Sequence, residues 1–116
     1  MGRNKLIVEQ KAEELISEVA QLLKNVRYPC KASRDAENSA DSTLLNIGEG
    51  VAIFAPKVKA AKYDIARGEA KEVQKALISL VRKKKLTENQ IKKAFDLADE
   101  IIAMLTTMIK NLEDRF

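Results

Sequence analysis

Few residues in this chain could do chemistry, and their types narrow the options at once. The stretch 42–50, Ser-Thr-Leu-Leu-Asn-Ile-Gly-Glu-Gly, sets Asn46 and Glu49 three apart beside an apolar helical stripe, and an echo at 65–72 holds Arg67, Glu69 and Glu72. Residues three apart on a helix lie on neighbouring turns. A carboxylate beside the stripe has to be solvated, ion-paired or neutral, because an unpaired buried charge is strongly destabilising. One arginine can compensate two or three carboxylates, so the expectation is a partly buried polar network of Asn46, Glu49, Arg67 and Glu72 between two helices, fixing register without performing a reaction. The catalytic alternative is a carboxylate metal site from Glu49, Glu69 and Glu72. Di-iron bundles, however, pair such glutamates with histidine in Glu-x-x-His motifs, and this chain has no histidine.

That absence also removes the usual Cys/His zinc site and every Ser-His or Cys-His nucleophile pair. Cys30 is the single cysteine, so no internal disulfide can form. Lys31 and Arg34 would favour a reactive thiol there; the simpler reading is a small residue packed at a loop. Gly48 and Gly50 lie in a helical pattern without the GxxxxGK[ST] spacing of a phosphate loop, so they point to a close helix contact. No enzymatic activity, metal or cofactor is expected.

What remains is charge. The net charge of +4 conceals a basic segment: residues 57–93 hold twelve Lys or Arg against four acidic residues, which leaves the rest of the chain net acidic. Lys57, Lys59, Lys62, Lys71, Lys75, Arg82, Lys83, Lys84 and Lys85 are the candidate nucleic-acid contacts, centred on the run 82–85. Lysine-rich contact to phosphates is electrostatic and tolerant of sequence. Only five aromatic residues are present, too few for an extended base-stacking platform. The competing reading of the basic segment is a solvated face that keeps the protein in solution.

The elements that must position these residues are helical. A chain of 116 residues with 46% apolar and 33% charged residues, two prolines and four glycines fits one domain, 1–116, with a real core. Apolar periodicity predicts helices near 5–27, 34–54, 57–83 and 88–113 and no strand. Pro29 ends the first, Ser33 is placed to cap the second, and Pro56 suits the first turn of the third. Thr87 and Gln90 form a capping box before the fourth. On the second helix the inward stripe is Ala36, Ala40, Leu44, Ile47, Val51 and Phe54; on the third it includes Val58, Ala61, Ile65, Ala66 and Ala70. Short connections between long helices give an all-α, antiparallel up-down-up-down four-helix bundle. The longest charge-free stretches, such as 101–109, are far short of a membrane span, and no signal-peptide pattern is present. No membrane association and a cytoplasmic location are therefore expected.

Ser42-x-x-x-Asn46-Ile47-x-Glu49-Gly50 followed by Ile65-Ala66-Arg67-Gly68-x-Ala70-x-Glu72 resembles the paired signature of the four-helix-bundle proteins encoded by intervening sequences in bacterial 23S ribosomal RNA genes. The resemblance covers about residues 36–112; Glu69 departs from the serine more usual there, and the first helix matches only in its helical pattern. It implies an antiparallel four-helix bundle assembled as a ring-like homopentamer with no established enzymatic activity. Related bundles are basic accessory proteins that bind a reverse transcriptase and nucleic acid in diversity-generating retroelements. The function expected on these grounds is a non-enzymatic, oligomeric basic scaffold for structured RNA or an RNA-protein complex. The alternative is a protein-protein interaction ring with no nucleic-acid role. The wide apolar stripes of the second and fourth helices also favour a homo-oligomer.

Overall fold

Four helices account for most of the chain: α1 Ile7–Leu23, α2 Lys31–Ala52, α3 Pro56–Arg82 and α4 Glu88–Glu113. The computed structural model describes residues 5–116, so 1–4 of the expected domain lie outside the described residues. No strand occurs among the described residues. Each helix packs on its neighbour in chain order, α4 returns to α1, and the backbones of the diagonal pairs stay apart, with no Cα atoms within 8 Å. Cross-helix contacts fix the directions. Arg67 meets Thr106 and Gln74 meets Asp99, while Lys11 pairs with Glu100 and Glu18 with Lys93. As numbering rises on one helix it falls on the other, so α3 and α1 are both antiparallel to α4. The expected all-α up-down-up-down bundle is the observed one.

Leu15, Val19, Ile47, Val73, Leu77, Leu80, Ile101 and Leu105 are fully buried and form the centre of the core. Between α2 and α3 the contact residues are small, with Ala36, Ala40, Ala66 and Ala70 all buried. A Cβ built on Gly50 would come within 2.6 Å of the Tyr63 ring, so glycine is what lets α3 approach there. Gly48 and Gly68 have no such neighbour within 4 Å. The close approach expected of the glycines therefore belongs to Gly50 alone.

The ends of the helices depart from expectation where turns tighten. α1 stops at Leu23 because Asn25 and Val26 donate to Leu22 and Leu23 three residues back, converting its last turn to a tighter form. α2 begins earlier than expected, with Cys30 as N-cap. Ser33 acts from the N3 position: its hydroxyl accepts from the Cys30 N–H at 2.8 Å and donates to the Cys30 carbonyl. The Thr87–Gln90 capping box forms as read, with Thr87 N–H donating to Gln90 Oε1 at 2.9 Å and Gln90 N–H to Thr87 Oγ1 at 3.1 Å.

Several apolar residues expected inward are not. Phe54 lies past the end of α2 in the connecting turn and is 98% exposed, and Val58, Ala61 and Ile65 lie on the flank of α3 and are exposed too. Glu9 goes the other way. It is buried, and its carboxylate accepts from the Leu6 N–H at the start of α1.

Candidate nucleic-acid interface

The polar residues of the two signature blocks do not meet. Asn46 is buried and donates from Nδ2 to the Ser42 carbonyl at 2.9 Å and the Ser42 hydroxyl at 3.1 Å, both on its own helix. Glu49 alone reaches across from α2 to α3, to Lys62 at 2.8 Å. Arg67 turns toward α4, donating to Asp64 at 2.7 Å and to Thr106 Oγ1 at 3.2 Å. Glu72 is exposed and pairs with Lys75 at 3.2 Å. The expected network fails for a geometric reason: Arg67 and Glu72 are five residues apart, roughly 140° around the helix, so they cannot serve one side. Nor do Glu49, Glu69 and Glu72 gather; among the described residues no group of three or more His, Cys, Asp or Glu could hold a metal ion.

The basic candidates divide by position and by partner. α3 is 27 residues long, so Lys57 and Arg82 lie about 37 Å apart along its axis. Those near its start are engaged: the Lys57 ammonium lies over the Phe116 ring, Lys59 donates to the Gly50 and Val51 carbonyls at the end of α2, and Lys62 holds Glu49. Lys75 holds Glu72 and Lys71 is exposed. Arg82, Lys83, Lys84 and Lys85 have no ion-pair partner among the described residues.

Their turn has a defined shape. Lys84 N–H donates to the Val81 carbonyl and Lys85 N–H to the Leu80 carbonyl, both at 2.9 Å, with Lys84 at φ 60. This is a Schellman ending with lysine at the left-handed position that glycine usually takes. Leu86 is buried behind the turn and anchors it.

Charge reading along the sequence missed the second half of this end. The connection from α1 to α2 arrives beside the 82–85 turn: Lys31 and Lys83 line one depression of about 200 Å³ between α2 and α3, and Lys85 is close enough to act on the Cys30 thiol. That thiol is held below its ordinary pKa, first by the Ser33 amide against the opposing effect of burial, then by the Ser33 hydroxyl, the Ala32 amide and the Lys85 charge. Segments 24–37 and 82–88 together hold eight basic and three acidic residues, so this end carries more than the whole chain's net charge of +4. Lys24, Arg27, Lys31 and Arg34 could not be assigned to it in advance, because they stand some fifty residues from the 82–85 run in sequence and only the bundle topology unites them.

No helix among the described residues is long and apolar enough to cross a membrane. Comparison with curated proteins gives no match. Among solved structures, the chain is similar to a protein of unknown function from the S23 ribosomal protein family of Bacteroides thetaiotaomicron VPI-5482, at 25% identity and a TM-score of 0.82, covering 90% of this chain and 99% of that one. The family model for 23S rRNA-intervening sequence proteins matches residues 4–107. With the four antiparallel helices in place over that same span, the chain belongs to the 23S rRNA-intervening sequence protein family.

Proposed function

We propose that this protein is a non-enzymatic, homo-oligomeric basic scaffold that binds structured RNA, alone or in an RNA-protein complex. The observation that supports this most is the run Arg82–Lys83–Lys84–Lys85, without ion pairs among the described residues, next to Lys31 at the start of α2, which is itself paired with Asp35 at 2.8 Å. Several other surface lysines are paired locally, as in Lys75–Glu72 and Lys92–Asp96, whereas this run holds four consecutive cations with no ion pair among the described residues. Cations not held in ion pairs are available to phosphate, and an oligomer would present several copies of this end at once, so weak contacts would add as avidity. Titration of a labelled RNA hairpin tests it. With about four phosphate contacts, affinity falls on the order of a hundredfold between about 50 and about 200 mM salt; absence of binding at low salt by the intact oligomer rejects the reading.

A protein-docking ring is the second reading. It is favoured by the depression of about 540 Å³ between α3 and α4 walled by Ile78, Val81, Ile91 and Phe95, together with exposed Leu45, Phe54, Val58 and Ile65. Under that reading RNA affinity is absent and the basic end is a solvated cap.

A further inference from the structure

One aromatic residue stands in the basic end. Tyr28 lies in the α1–α2 connection, 65% exposed, with the Arg27 guanidinium 5.4 Å from its ring centroid. The chain's other tyrosine, Tyr63, is buried against Gly50 in the core and has a packing role. Tyr28 has none: it is an apolar ring left in water at the one place where cations outnumber acids most. An exposed tyrosine with an arginine over one face offers its other face for a nucleobase to stack on, and the guanidinium can turn from the ring to meet the adjoining phosphate.

We infer that the basic end is a bipartite RNA site in which Tyr28 stacks one unpaired base while Arg27 and the Lys83–Lys84–Lys85 turn hold the backbone on either side. This rests on the RNA-binding reading above and narrows it: the preferred ligand is a hairpin loop, bulge or single-stranded junction beside a helix, since a continuous duplex offers phosphates but no free base face. The two halves of the site are anchored independently. The lysine turn is fixed by its Schellman hydrogen bonds and buried Leu86; the tyrosine is carried by a connection ended by Pro29 and the Cys30 cap of α2. Lys31, three residues after Tyr28, and Lys83 line one depression, which joins the two halves into one surface.

The chain has no tryptophan and two tyrosines, Tyr28 exposed and Tyr63 buried, so the difference in intrinsic emission between wild type and Tyr28→Phe isolates Tyr28. The experiment titrates wild type, Tyr28→Ala and Tyr28→Phe with an RNA hairpin carrying an unpaired loop and with a blunt duplex of the same stem, following anisotropy of a label on the RNA and tyrosine emission of the protein. Stacking predicts that Tyr28→Ala weakens hairpin binding about tenfold and leaves duplex binding unchanged. Tyr28→Phe, which keeps the ring, retains both affinities. Hairpin quenches the emission of wild type and duplex does not, and the quench is lost in Tyr28→Phe although that variant still binds. Circular dichroism of the exposed-loop variants confirms that each remains folded. Hairpin affinity unchanged in Tyr28→Ala, or equal quenching by hairpin and duplex, overturns the stacking site while leaving an RNA-binding scaffold. Failure of wild type to bind either RNA overturns the scaffold reading, and the site falls with it.

Discussion

Lys84 shows how a single residue can be placed against local preference. Its left-handed backbone, φ 60, closes the Schellman ending of α3, a position where glycine avoids a cost of roughly 1 kcal/mol. The lysine therefore gives up stability to put an ammonium at the tip of the basic turn. Replacing Lys84 with Gly is expected to raise the unfolding free energy by about 1 kcal/mol, measured by urea denaturation, while lowering RNA affinity; a loss of stability would mean that the Lys84 side chain contributes packing. Arg67 illustrates the opposite case. The sequence pairs it with buried glutamates, but its half-exposed contacts to Asp64 and Thr106 are those of a surface residue. Arg67→Ala should cost under about 1 kcal/mol, and a loss of several would restore a core role for the arginine.

Among the elements, the α2–α3 pair carries the closest fit, and its glycines separate cleanly. Gly50 faces the rigid ring of buried Tyr63, so Gly50→Ala forces the two helices apart and is expected to destabilise by about 1–3 kcal/mol. Gly48 has open space at its Cβ position, and Gly48→Ala should stabilise by about 1 kcal/mol through helix propensity. Paired thermal melts of the two variants check the sign of each; equal effects would mean that the ring is not what excludes a side chain at Gly50. Helix number, order and type were legible in the sequence because the 3.6-residue apolar period and the Thr87–Gln90 box are local signals. Which residues on the flanks of a stripe are covered was not. Phe54, Val58 and Ile65 are apolar at helical spacing yet exposed, since burial depends on where the next helix lies. The same limit hid part of the basic end: the 82–85 run announces itself as four consecutive cations, whereas Lys31 joins it only when α2 and α3 pack.

For the whole molecule, the two ends of the bundle differ in character. The α2–α3 turn and the carboxyl end of α4 present Phe54, Val58 and Phe116, while the opposite end presents the basic connections. Under the proposed scaffold reading, assembly would cover the exposed apolar residues along α2 and α3, Leu45 and Ile65 among them. Multi-angle light scattering is expected to return a multiple of the 13.0 kDa chain mass at micromolar concentration; a monomer mass would remove the avidity on which weak phosphate contacts rely. The central claim, that nucleic acid is held at the basic end and not along the α3 stripe, is tested most directly by two charge-reversal pairs compared in one hairpin RNA titration. Arg82→Glu with Lys84→Glu should weaken binding by at least about tenfold without changing melting temperature or oligomer mass, and Lys57→Glu with Lys71→Glu should weaken it far less. Equal losses from the two pairs, or a larger loss from the second, would contradict the account.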